Sequence, residues 1–277
     1  MPELIEAVQI IQNADAVLIT AGAGMSVDSG LPDFRGKSGL WTAHPVARER
    51  GLKFEDLANP RWFDEDPVLA WAFYGQRLQQ YQETVPHAGY GHLLDLAKKK
   101  PGGYFVFTSN VDGAFTKAGY DPQRICEVHG SIHHLQCTIP CTGRIWSADN
   151  LVVKIDLDKY EAVGELPMCP ACGELARPNI LMFGDLCWLN SRTNDQKARL
   201  NEWLNEQTQE KTKLVIIELG AGAVVPTVRY QSEDVLNATQ GSRLIRVNPD
   251  LNDVPSGSVS IKLSAAEFIS SLIELTE

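Results

Sequence analysis

Hydrophobic positions along this chain recur in two rhythms. Leu4, Ile5, Val8 and Ile11 fall on one helical face, and Asp15 to Thr20 follows as a mostly apolar run of strand length ending in Ala21-Gly22-Ala23-Gly24. Similar runs at Tyr104 to Thr108, Ile125 to Val128, Leu214 to Leu219, Leu244 to Val247 and Val259 to Leu263 predict further buried strands. Helix-length connections separate most of them, which favours a parallel sheet covered by helices on both faces. Ala265, Phe268, Ile269 and Leu272 return to helical spacing and predict a last helix packed back on that sheet.

Two stretches break the rhythm and read as insertions. Residues 38–82 are rich in tryptophan and proline, with a helix expected from Pro67 to Tyr81 behind Asp66 as its cap. Residues 131–178 contain paired cysteines. The expected organisation is a nucleotide-binding domain built from 1–37, 83–130 and 179–277, with both insertions forming a small lobe across a cleft.

Charge and length narrow the partners. A formal net charge of −10 disfavours a protein that grips nucleic acid through its phosphates, and no basic stripe offsets it. No apolar run approaches the roughly 20 residues that cross a bilayer, and Met1-Pro2-Glu3-Leu4 does not open a secretion signal, so a cytoplasmic protein without a membrane partner is expected. In such a compartment, Cys137 and Cys141, with three residues between them, and Cys169 and Cys172, with two between, point to metal rather than disulfides. Two knuckles brought together give tetrahedral thiolate coordination, which suits a closed structural Zn²⁺ site, with His133 and His134 close enough in sequence to be alternative ligands. Cys126, in an expected strand, reads as buried packing.

The glycine turn after the first strand lets backbone approach a pyrophosphate at a helix N-terminus, although Val27 stands where a dinucleotide fingerprint has its third glycine. Leu31-Pro32-Asp33-Phe34-Arg35-Gly36 continues the loop. Thr108-Ser109-Asn110-Val111-Asp112, Val128-His129-Gly130, Arg177-Pro178 and Phe183-Gly184-Asp185 follow in order. Together these blocks closely resemble the signature of the sirtuin family, NAD-dependent protein-lysine deacylases, over nearly the whole chain. The resemblance implies a Rossmann-like fold with a small zinc-binding and helical lobe, NAD as co-substrate and acyl-lysine proteins or peptides as substrates. It also implies roles: His129 as general base, Asn110 orienting the ribose and a water, and Asp112 accepting from the nicotinamide carboxamide. Ala21, Gly22, Ala23, Gly24, Asp33, Phe34, Arg35, Ser109, Gly220, Ala221, Gly222, Asn248 and Asp250 would line the cofactor, and Phe183 and Gly184 the substrate backbone. Histidine suits the base because an unperturbed pKa near ~6.5 leaves it mostly neutral at cellular pH. His44, His87 and His92 read as surface or packing residues.

The chain departs from the family at three places. Ser109 replaces the usual glutamine, Ala221-Gly222 lacks the usual Thr and Ser hydroxyls, and Leu186-Cys187-Trp188 follows Phe183-Gly184-Asp185 where a proline is usual. The first two leave an ADP-ribosyltransferase or NAD hydrolase as the alternative activity of the same cleft. Tyr74 and Arg77, three apart on the expected helix, share one face and resemble the pair with which the desuccinylase and demalonylase branch recognises acidic acyl groups.

Overall fold

A computed structural model of the chain describes residues 2–32, 51, 53–250 and 253–275. Its main sheet is built from β1 (Ala16–Ala21), β2 (Tyr104–Thr108), β3 (Ile125–Glu127), β9 (Leu214–Leu219), β10 (Arg243–Val247) and β11 (Val259–Ile261). All neighbours are parallel, in the order β11-β10-β9-β1-β2-β3. Every residue of β1, β2 and β9 is buried, as the unbroken apolar runs require, and successive side chains enter opposite cores. Val17, Ile19, Val106, Val215 and Ile217 face one core, closed by α1 (Pro2–Asn13), α3 (Ala88–Lys98) and α6 (Ala265–Glu274). Leu18, Phe105, Phe107 and Ile216 face the other, beneath α4 (Ser191–Glu210) and α5 (Thr227–Ala238).

The expected strands are all present, with small shifts at their ends. The first starts at Ala16 because Asp15 serves as its anchor: the carboxylate accepts from the Lys213 amide at 2.9 Å and the carbonyl accepts from the Gly102 amide at 2.8 Å. The chain runs from β1 outward to β3 and later resumes on the other side of β1 at β9. Ala21 and Leu219 end level with each other at that reversal, which is where open α/β sheets form their ligand crevice.

Outside this sheet, β4 (Gly130–Cys137), β5 (Ile145–Ser147) and β8 (Ala176–Ile180) form an antiparallel sheet, and β6 (Lys154–Asp156) and β7 (Glu161–Val163) form a hairpin. Helix α2 (Pro67–Glu83) packs its aromatic face against them in a separate core containing Trp71, Phe73, Tyr74, Ile132 and Tyr160. Asp66 accepts from the Leu69 amide at 3.0 Å and Pro67 opens the helix, as its sequence predicts. Among the described residues no helix is long and apolar enough to cross a membrane.

Candidate active site and metal centre

The two turns at the sheet reversal are packed backbone to backbone. A Cβ on Gly24 would lie 2.6 Å from Gly220 Cα, one on Gly22 would lie 2.7 Å from Gly220 O, and Gly220 itself has φ +60°. These glycines therefore let two crossing turns touch. Their amides are engaged within the protein: Gly22 N donates to Leu219 O, Gly24 N to Gly220 O, and Gly220 N to Val247 O, each at 3.0 Å. These three hydrogen bonds hold the turns together. Gly24→Ala is expected to destabilise the chain by about 2–4 kcal/mol, measured by chemical denaturation, because neither facing backbone can move aside.

A cavity of about 240 Å³ opens beside this crossing. Ala23, Ser109, Asn110, Asp112, His129, Tyr74, Arg77 and Phe183 all line it. Gly184 lines a separate groove, while Gly22, Gly24, Gly220, Ala221, Gly222, Asn248 and Asp250 belong to the turns at or behind the crossing. Asn248 donates through Nδ2 to Ala221 O at 3.0 Å and accepts from the Asp250 amide at 2.9 Å, so its amide braces the second turn. Asp33, Phe34, Arg35 and His44 lie outside the described residues.

His129 is fixed from both sides. The preceding amide, Val128 N, donates to Thr108 O on β2 at 2.9 Å, and His129 O accepts from Leu181 N at 2.9 Å. The following residue must be glycine, since Gly130 has φ +80° and a Cβ there would lie 2.0 Å from Asn179 O. Beneath it, buried Glu127 pairs with Arg192 and takes the Thr193 hydroxyl on its carbonyl at 3.2 Å, tying the start of α4 to this strand. Thr227, at the start of α5, places its hydroxyl 3.4 Å from His129 Nε2.

Asn110 and Asp112 meet at a residue the sequence reading did not single out. Ser26 Oγ donates to Asp112 Oδ2 at 2.6 Å and accepts from Asn110 Nδ2 at 3.1 Å. Asp112 Oδ1 accepts from the Ala114 amide at 2.9 Å, so both carboxylate oxygens are engaged. The signal was available: Ser26 is the first hydroxyl after two small-residue glycine steps and stands third in the helical segment Gly24–Val27.

At the other end of the cavity, Tyr74 and Arg77 are 1% and 5% exposed, which excludes a solvated arginine. The guanidinium lies 5.2–5.9 Å from the rings of Phe54, Phe73, Tyr74 and Tyr81 and donates to the Tyr81 hydroxyl at 2.8 and 3.2 Å. The Tyr74 hydroxyl is buried with no hydrogen-bond partner among the described residues, and burial holds its pKa well above the ordinary phenol value. A buried donor without an acceptor costs about 1–3 kcal/mol, which a bound acceptor would relieve.

The four cysteines converge. Sγ atoms of Cys137, Cys141, Cys169 and Cys172 all lie within 4.8 Å of one another, with Cys137–Cys172 at 3.6 Å and Cys141–Cys169 at 3.7 Å. A tetrahedron with Zn–S bonds of about 2.3 Å has sulfur–sulfur edges of about 3.8 Å, so the cluster fits a structural Zn²⁺ despite its unequal spacing. Backbone hydrogen bonding at Ala171, in the second knuckle, draws the Cys169 thiol down to about 7, while burial pushes Cys137 up to about 12. A cation between them favours the thiolate at both. His133 is engaged elsewhere, with its Nε2 2.8 Å from Asp112 O, and neither it nor His134, whose pKa burial lowers to about 4, joins the cluster of four sulfurs among the described residues. Cys126 is fully buried in β3, as expected, and Cys187 is exposed.

Residues 22–217 match the model of the Sir2 family. An NAD-dependent protein deacylase of Thermococcus kodakarensis is 29% identical over 270 residues, covering 96% of this chain and 93% of the relative. One from Thermus thermophilus is 28% identical over 281 residues, covering 99% and 95%. A solved Sir2 homologue–NAD complex superposes with a TM-score of 0.70 at 23% identity, covering 98% of this chain and 93% of that one. A Sir2 protein bound to a propionylated peptide gives 0.68 at 20%, covering 99% and 98%.

Proposed function

Since the chain belongs to the Sir2 family, we propose that its cavity removes acyl groups from protein lysine with NAD as co-substrate, and that it accepts succinyl and malonyl groups as well as acetyl. The products are nicotinamide, O-acyl-ADP-ribose and free lysine. The observation that carries the acidic-acyl reading is the buried Tyr74 hydroxyl without a partner, beside a buried guanidinium, in the same cavity as His129. Arginine presents paired donors to a carboxylate, and burial strengthens the contact.

In this reading the sheet-forming segments 1–37, 83–130 and 179–277 bind NAD, and segments 38–82 and 131–178 supply the acyl wall and the metal. Loss of nicotinamide leaves positive character at the anomeric carbon of the ribose, and the acyl oxygen bonds there. His129 then accepts a proton from a ribose hydroxyl, aided by its fixed backbone and the Thr227 hydroxyl nearby. That ribose oxygen bonds the acyl carbon as the carbon–nitrogen bond breaks and the lysine amine leaves with a proton, and water then adds to the acyl carbon as its bond to the anomeric oxygen breaks. Asn110 orients the ribose and a water, and Asp112 accepts from the carboxamide. Ser109 is too short to make the contacts of the family's usual glutamine, and the ring of Phe183 at the cavity mouth would flank the substrate.

The test is incubation with NAD and acetyl-, succinyl- or malonyl-lysine peptide, followed by product mass. Arg77→Met is expected to lower succinyl and malonyl removal about 100-fold, the loss of a buried charge-assisted contact worth about 3 kcal/mol, while changing deacetylation less than about 3-fold. Equal loss on all three substrates would reject the acidic-acyl reading. Peptide-linked ADP-ribose, or NAD consumed with the acyl group retained, would move the protein to the transferase or hydrolase alternative.

A further inference from the structure

We propose that Tyr90, outside every signature block, is a positioning residue for NAD: acting through Ser26, its hydroxyl sets which way the Asn110 amide and the Asp112 carboxylate face. This rests on the NAD chemistry proposed above, since those two side chains matter here as contacts to ribose and carboxamide.

Hydrogen counting gives the direction of the network. A carboxylate only accepts, so the single Ser26 hydroxyl proton goes to Asp112 Oδ2, 2.6 Å away. Ser26 Oγ then has only its lone pairs for its other neighbours, Asn110 Nδ2 at 3.1 Å and the Tyr90 hydroxyl at 3.0 Å. Both must donate. The Asn110 amide is thereby turned with its NH₂ toward Ser26 and its carbonyl oxygen away. With both acceptor positions of Ser26 filled, its proton has one direction left, toward Asp112.

The surroundings suit Tyr90 to this task. Its ring is fully buried, edge-on to His87 at 5.0 Å and to Phe115 at 4.9 Å, and its carbonyl accepts from the Tyr120 hydroxyl at 2.9 Å. Burial holds the phenol well above its ordinary pKa, so it keeps the proton it donates. Removing the hydroxyl alone leaves Ser26 with an open acceptor position and frees it to rotate, and the two side chains that face NAD lose their common reference.

The experiment measures NAD binding by calorimetry, and KM for NAD and for acylated peptide, in Tyr90→Phe, Ser26→Ala, their double variant and Tyr120→Phe. Phenylalanine keeps the ring, so Tyr90→Phe should fold. Loss of one aligned hydrogen bond predicts a roughly 3- to 10-fold weaker Kd and higher KM for NAD in Tyr90→Phe, with the peptide KM unchanged. The double variant should be no worse than Ser26→Ala, because Tyr90 acts through that serine. Tyr120→Phe removes a buried hydroxyl from the same cluster without touching Ser26, and should bind NAD as the wild type does. Wild-type NAD binding in Tyr90→Phe, independent losses that multiply in the double variant, or equal weakening in Tyr120→Phe would each overturn the inference. A wild-type chain that binds no NAD would overturn both this inference and the functional reading beneath it.

Discussion

Alanine at position 129 is expected to lower acyl-lysine turnover by a factor of roughly 10² to 10⁴, the range a positioned general base supplies. Binding of NAD should persist, because Ser26, Asn110 and Asp112 keep their mutual hydrogen bonds without the imidazole. The fold should persist too. What fixes this position is backbone, through the Val128 amide and the His129 carbonyl, and alanine retains both contacts. Product release measured at saturating NAD, alongside calorimetric NAD binding, separates the two effects. Turnover within a factor of about three of the wild type would remove His129 from the role of base.

The second large effect is expected from the metal. Cys169→Ala, or prolonged treatment with a strong chelator, should lower the zinc content by about one ion per chain. It should also lower the melting temperature by on the order of 10 °C, since structural zinc contributes folding free energy directly. The apolar core around α2 is separate from the cores of the main sheet, so melting should begin there and leave the parallel strands folded. Acid should mimic the chelator, because protons compete with the cation for the four sulfurs. Metal analysis showing no zinc in protein purified without chelator, or an unchanged melting curve after the substitution, would reject a structural role.

The parallel sheet was legible because strands buried on both faces must be apolar at every position, leaving short unbroken runs such as Leu214 to Leu219. The antiparallel sheet was not. Strand β4 carries His133, His134 and Gln136, shifts register between Ser131 and Leu135, and pairs with a strand only three residues long, so no period of two survives in the sequence. Among site residues, Asn110, Asp112, His129 and the four cysteines stand in blocks whose order is recognisable, and the fold brings each set together. Ser26 and Tyr90 were missed for different reasons. A serine in a glycine turn reads as one more small residue, and Tyr90 lies in a stretch, 83–103, to which the pattern assigned no element and the resemblance no role. Their relationship exists only after residues 64 positions apart are folded together. Arg77 shows the same limit, since helical spacing places it on a face but does not decide whether that face is wet.

Gly130 joins two sheets of different kinds. On its N-terminal side Val128 is hydrogen-bonded to β2 of the parallel sheet, and from Gly130 the chain enters β4, which pairs with β8 on both sides of its register shift and ends at Cys137 in the cysteine cluster. His129 therefore stands at the junction itself. The two peptide groups around the imidazole are thus claimed by different sheets, the Val128 amide by β2 and the His129 carbonyl by the Leu181 amide just past β8, so its position is a shared boundary condition of both.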